Sequence, residues 1–561
     1  MILIAISWLY IFLTIIPFGF VAAKWLKVKD ANFPEIGFLG LFSVTLFGSI
    51  WAFFGRINIE FHMVLFVLCL LIFLKSKDEI IAVYKNCFQR VSDFPKPLKI
   101  LFWLTAIIIL GQSAAAPFVL DNESYYIQTV KWLNEYGFVK GLANLHVLFA
   151  QNSGWHIAQS VYSFSFVYDR FNDLSGLCLL LGNLFAFYKL SEFWKTGDRT
   201  TLIFGLLPLV NVFFLRFSGA PSPDIPVYVI TFIIADLFIR NFRLPGRSGF
   251  NLILALVLFV LYVKTSAVLL ILLPICLIVT GSIRMIQWKT IAVGLLVLVL
   301  FIGKNCILSG YPLHPLPDYA LTAGYVLPQN IADLYYIETK IYGYELTQAD
   351  YNNAGTFDLL KRWISLPQLH GIVNRLTVIL LLVAPLLIRK FGNKKAIWLL
   401  YLAMALQLAL LLCAGPQYRY YLNLVLVIAS FCATCILYRK PWIVLTLGVS
   451  TVASLLLLVF PLQLETLTSN ENTKQTLAFS LENILVPFQN SKLDVQFINI
   501  QDGNLEFQSP VNPGFFWASG DGQLPCVSSE QLDYIQKYYG VFPQQFTQNP
   551  GDGFYSETRN Y

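Results

Sequence analysis

Two carboxylates, Asp121 and Glu123, stand one residue apart in PFVLDNESYYIQTVKWL, directly after the apolar run Leu101–Ala116. Charged groups at the mouth of a hydrocarbon-spanning segment are costly to keep unless something there uses them. A carboxylate in that position can act as a general base or, with a divalent cation, as part of a metal-assisted one. It can equally open a helix, where an acid caps free N–H groups and complements the dipole. Asp224, in RFSGAPSPDIP, is a second acid at the start of an apolar run. Two cations stand in comparable places: Lys264, which breaks the long apolar stretch 250–280, and Arg419, in GPQYRYYLN. An Arg at such a boundary can hold a phosphate through paired hydrogen bonds, or anchor a helix at the interface. His146 and His156 follow the two acids and are candidate acceptor or metal ligands, but their spacing fits no metal template. His314 and Asp318, in YPLHPLPDY, could approach the same place from another loop.

The elements that must position these residues are membrane helices. Hydrophobic residues make up 57% of the chain and charged residues 13%, far below the share in a soluble domain. That excludes a soluble enzyme, and it turns the net charge of +7 into a matter of topology, not of nucleic-acid binding. Apolar runs near 2–22, 36–54, 58–74, 100–116, 173–189, 201–215, 225–239, 250–263, 265–280, 290–306, 373–388, 396–413, 420–437 and 442–462 predict fourteen spans. Counting 250–280 as two short spans broken at Lys264 keeps the basic loops on one side. These loops carry Lys24, Lys27 and Lys29, then Lys75, Lys77, Lys85, Arg90, Lys96 and Lys99, then Lys189, Lys195 and Arg199, then Arg240, Arg243 and Arg247, then Arg284 and Lys289, then Arg389, Lys390, Lys394, Lys395, Arg439 and Lys440. By the positive-inside rule that side is cytoplasmic. The loops 117–172 and 307–372 and the tail from 463 then share the outer face with Asp121, Asp224, Lys264 and Arg419.

The predicted fold is an all-α polytopic membrane protein with a small C-terminal α/β subdomain. Residues 1–99 supply N-terminal helices and a basic loop. Residues 100–306 form a core with the outer loop 117–172, 307–372 an outer loop, 373–462 the last helices, and 463–561 the tail subdomain. The aromatics Tyr125, Tyr126, Trp132 and Tyr136 predict a helix lying in the membrane interface and ending at Gly137. The nine cysteines form no CxxC pair; Cys526, in the polar tail, could pair with Cys306 or Cys413. The first residues lack a positive n-region and read as a retained span.

With these features in order, the chain resembles the GT-C superfamily of polytopic glycosyltransferases, which includes protein O-mannosyltransferases and lipid A aminoarabinose transferases. Their mark is an acid in the first large outer loop, just past a span and before an amphipathic helix; here that is Asp121 in DNESYY. VKGLANLHVLFAQNS, SGAPSPDIP, KNCILSGYPLHP and FFWASGDGQLPC also resemble a group of uncharacterised bacterial membrane proteins of that architecture. The loop follows the fourth predicted span, where the superfamily usually has it after the first. The resemblance implies a bacterial inner-membrane enzyme of the cell envelope, active on its periplasmic or exterior face. The implied donor is a polyprenyl-phosphate- or polyprenyl-diphosphate-linked sugar, and the acceptor a glycan, lipid or protein. Asp121 would be the base, Lys264 and Arg419 would hold the donor phosphate, and Glu123 and Asp224 would orient the acceptor or bind a divalent cation. Other machinery for lipid-linked glycans, an O-antigen-type polymerase or a flippase, is the alternative. A flippase would keep substrate-binding charges mid-membrane, where the sequence reading singles out Lys264 alone. A scaffold whose tail binds a partner is the remaining reading, and it leaves the clustering of charges on one face unexplained.

Overall fold

The computed structural model describes residues 1–243, 245–281, 286–468 and 471–559; Arg284, placed above in a basic loop, lies outside them. Each of the fourteen apolar stretches contains helix, because a backbone without water must satisfy its N–H and C=O groups internally. Among the described residues, nine helices are long and apolar enough to cross a membrane, where the sequence predicts fourteen. All five of the shortfall fall on helices of at most 17 residues, among them both halves of 250–280 and Tyr418–Thr434. Ile59–Lys75 continues into Lys77–Ser92 only through a 93° bend. The 250–280 stretch does break at Lys264, whose extended backbone separates the helix Arg247–Val263 from the turns of Thr265–Ile271. The least buried long helices, Trp288–Ser309 and Lys440–Val459, expose Leu295, Val299, Leu445, Val449 and Val452, an apolar surface suited to hydrocarbon.

The bundle has two chemically different ends. At one, the basic loops meet. Lys24 pairs with Glu79, Lys289 donates to the Trp25 carbonyl, Lys440 to the Trp194 carbonyl, and Asn393 to the Ile239 carbonyl. Just inside it lies a buried ionic network, which corrects the reading of Lys264 as the one charge within the spans. Asp236 accepts from Lys189 at 3.0 Å and from Arg240 at 2.7 Å, and Arg240 also reaches Glu35 at 3.2 Å. Glu35 additionally completes a capping box with Asn32 at the start of Phe33–Ala52. The network ties three helices together.

The other end is covered by the C-terminal tail. Strands β1 (Phe497–Asp502) and β2 (Leu505–Pro510) form one antiparallel pair, and β3 (Val541–Gln545) and β4 (Phe554–Thr558) a second, with the helix Ser529–Tyr539 between. Tyr125, Tyr126 and Trp132 are buried against Leu505, Phe507, Leu532, Phe542 and Phe554. The aromatic helix, Ile127–Glu135, is therefore capped by protein and does not lie open in the interface as its composition predicts. Polar bonds fix the same contact. The amides of Ser519 and Gly520 donate to the Glu123 carbonyl, and Gln128 donates to the carbonyls of Gly520 and Gly522. Lys131 pairs with Asp521 at 2.6 Å. The Glu123 carboxylate accepts from the Ser491 hydroxyl and from the Lys492 amide. Cys526 does not form the disulfide considered above: it is a buried free thiol donating to the Ser519 carbonyl at 3.1 Å, and Cys306 and Cys413 are free as well.

Two outcomes follow from these contacts. Replacing Asp236 with Ala takes away the buried partner of Lys189, leaving only the half-exposed Glu192 at 3.2 Å, and should cost up to about 3–5 kcal/mol, read as a lowered melting temperature in detergent. Burial raises the Glu123 pKa, partly offset by its bonds to Ser491, Lys492 and Asn122. A raised carboxylate favours the docked state most below the ordinary carboxylate range and loses that contribution as pH rises through the raised value. Hydrogen-exchange protection of the Ser519 and Gly520 amides, corrected for intrinsic rates, should thus fall as pH rises above the ordinary carboxylate range. Glu123→Gln should flatten most of that slope, with Asp521, raised in the same direction by burial, leaving the remainder.

Candidate functional site

Between the helix ends and the tail lies a cavity of about 800 Å³. Its lining draws on chain segments far apart in sequence: Asp121 and Tyr126, Asp224, Lys264, Lys304, His314 and Tyr335, Arg419 and Tyr420, and Trp517 and Leu532 of the tail. Apolar side chains from the helix ends, among them Val268, Phe301, Leu410 and Leu411, complete the wall. A large, mostly apolar pocket with a few convergent polar groups is the usual form of a small-molecule site.

Asp121 follows one residue after the helix entry at Leu120, and the next turn, Asn122–Tyr126, is π-helical. Such one-turn widenings are frequent at functional sites. The Asp121 carboxylate makes no capping bond. Its Oδ2 accepts from Arg419 Nη1 at 2.8 Å and from the Tyr126 hydroxyl at 3.3 Å. Asp224 is the first residue of Asp224–Arg243; its carboxylate pairs with Lys264 and lies 3.8 Å from Arg419 Nη1. Lys264 also sits 4.5 Å over the Tyr420 ring. The four charges predicted separately thus form one chain, Asp121–Arg419–Asp224–Lys264. Its inner member is fully enclosed, with the Asp224 side chain 1% exposed, whereas Asp121 keeps 27% of its side chain accessible. The Tyr228 hydroxyl holds the Arg419 carbonyl at 3.0 Å and so fixes where that helix begins.

The other predicted residues divide. Glu123 is absent from the cavity lining; it is buried among Ser491, Lys492 and Asn122 and anchors the tail. His146 lines the cavity, packed on Phe149 and Trp517, and its Nδ1 accepts the Leu148 amide. His156 lies behind Tyr126, where Nδ1 accepts the Ser153 amide and completes a helix cap, so it does not reach the cavity. Burial lowers both histidines to about 3, leaving them neutral. His314 reaches the cavity as the sequence allows, stacked on Tyr335, and Asp318 does not. The donor set does not fit a divalent cation: among the described residues no three His, Cys, Asp or Glu side chains gather as ligands, and both acids already face cations of the protein. Asp224, His146 and His156 therefore do not form a metal site together.

Lys304 is the lining residue that the sequence reading passes over. It is a lone lysine inside the apolar run 290–306, and that isolation was the available signal. Tyr126, Tyr335 and the tail residues carry no comparable signal, because aromatic residues, 16% of the chain, recur at packing positions throughout it.

No curated protein and no solved structure matches this chain. A family model described as a domain of unknown function, DUF8201, matches residues 1–426, a span that takes in all four members of the charge chain and stops before the tail. The chain belongs to the DUF8201 family.

Proposed function

We propose that this protein is a membrane glycosyltransferase of the GT-C type. It would move a sugar from a polyprenyl-phosphate donor to an acceptor hydroxyl on the outer face of a bacterial inner membrane, with inversion. The observation that carries this reading is an accessible carboxylate, Asp121, paired with Arg419 on the wall of one cavity of about 800 Å³ that Lys264, paired with Asp224, also lines. In a single displacement, Asp121 accepts the proton of the acceptor hydroxyl as its oxygen bonds to the anomeric carbon. The bond from that carbon to the phosphate oxygen breaks at the same time, and the phosphate leaves with the electron pair. Arg419 and Lys264 stabilise the negative charge that develops there, the role preorganised cations play most effectively in a site shielded from water. The Asp121–Arg419 bond uses Nη1, and a planar guanidinium has further donors for a phosphate. Apolar walls at Val268, Phe301, Leu410 and Leu411 suit the first isoprene units of the donor. On this reading Asp224 holds the two cations in place and does not itself meet the acceptor.

The test is the surface-glycan and glycolipid profile of a deletion strain complemented with wild type, Asp121→Asn or Arg419→Lys at matched expression. Wild type should restore a missing sugar. Asp121→Asn should leave it absent, since general-base catalysis supplies about 10²–10⁴-fold in rate. Arg419→Lys keeps the charge but loses the fork, and should restore the sugar only in part. Full restoration by Asp121→Asn would remove the carboxylate from the chemistry.

A further inference from the structure

The charge chain described above balances itself, since Asp121 and Asp224 answer Arg419 and Lys264. Lys304 is different. It is 4% exposed and lines the same cavity, yet its ammonium has a neutral side-chain partner, the Asn305 Oδ1 at 3.0 Å, and the Phe301 ring at 5.1 Å. Among the described residues no carboxylate pairs with it. Of the acids that line the cavity, Asp121 and Asp224 are already paired, and Glu338, on the face of Gln329–Ile341 that carries Tyr335, is exposed and forms no ion pair with Lys304. A buried cation without an anion is destabilising in an empty protein. Its surroundings are nonetheless held in place: Asn305 donates through Nδ2 to the Pro312 carbonyl at 3.2 Å, which ties the helix end to the turn that carries His314. His314, stacked on Tyr335, presents a buried Nε2 with no hydrogen-bond partner among the described residues. Burial, with the nearby Lys304 charge, lowers that imidazole to about 3, so it is neutral and can donate an N–H.

We propose that Lys304 and His314 form a second anion subsite of the cavity, one that receives a negatively charged group of the ligand other than the one met by Arg419 and Lys264. The group is a phosphoryl or a carboxylate. It belongs either to the donor, as the second phosphoryl of a diphosphate, or to an acidic sugar of the acceptor. This rests on reading the cavity as a ligand site, but not on the transfer step itself.

The experiment is calorimetric binding to the full-length protein in nanodiscs, with farnesyl phosphate, farnesyl diphosphate and methyl glucuronide as probes. Wild type, Lys304→Met, Lys304→Arg and Arg419→Met are compared, and each variant is also melted without ligand. A donor subsite predicts that wild type prefers the diphosphate to the monophosphate by about tenfold or more, that Lys304→Met erases this preference, and that Lys304→Arg keeps it. An acceptor subsite predicts instead that methyl glucuronide binds wild type and Lys304→Arg but not Lys304→Met. In both cases Lys304→Met should melt no lower than wild type, because it removes an uncompensated charge. The proposal is overturned if wild type shows neither preference, if Lys304→Met binds every probe as wild type does, or if Lys304→Met melts lower and loses farnesyl phosphate as well. Loss of farnesyl phosphate in Arg419→Met alone would leave the transfer reading standing whichever way Lys304 falls.

Discussion

Charge held away from water organises this molecule. Asp121, Arg419, Asp224 and Lys264 come from four separate parts of the chain, and each is tolerable at its depth only because the next is there. Removing Asp224 leaves Lys264 buried without a carboxylate, and removing Asp121 leaves Arg419 with Asp224 alone. The helices that begin at Asp224 and Tyr418 and the break at Lys264 are therefore fixed relative to one another by electrostatics as well as by packing. The second network, around Asp236, does the same at the basic end of the bundle with Glu35, Lys189 and Arg240. The two differ in one respect that matters for function. Among the described residues the Asp236 network takes no part in lining the cavity of about 800 Å³, whereas the Asp121 chain borders it. One is a clasp, and the other is a clasp with a vacant side.

The tail completes what the helices begin. Its aromatic and aliphatic side chains cover Tyr125, Tyr126 and Trp132, and its Ser519–Gly522 strap satisfies the carbonyl of Glu123 and the Nε2 of Gln128. Trp517, Leu532 and Ser556 then face the cavity from above the helix ends. The roof of the cavity and the base beside it are thus held by adjacent residues. Asp121 turns toward Arg419, while Glu123, two positions on, turns toward Ser491 and Lys492.

That divergence shows how far the sequence could be read. The apolar stretches, the break at Lys264 and the gathering of polar loops follow from hydropathy and charge, which act over long windows and survive local detail. Asp121 and Glu123 look equivalent in a string of letters, but residues two apart on a helix point to nearly opposite sides, and only the packed structure says which side holds the cavity. His156 follows the same rule: its spacing from Ser153 makes a helix cap, and nothing in a linear pattern separates that from a ligand. The span count is overread because apolar runs near 201–215 and 265–280 fold into short helices and tight turns, which composition alone does not distinguish from a full crossing. Lys304 was legible, and was masked by the strength of the apolar signal on either side of it.

The placement of the roof has a consequence for how the protein comes into being. Helices can enter the bilayer as they are made, and both ionic networks are complete once the helix beginning at Tyr418 has arrived. The strands that close the cavity lie more than a hundred residues further along, and Phe554 and Ser556, which seal it against Trp132 and Asn144, are among the last residues described. A nascent or truncated chain is therefore anchored and charge-balanced while its cavity still stands open to water. The cavity is covered only once these strands have been made, so a chain that stops short of them carries its charge chain beside an open pocket.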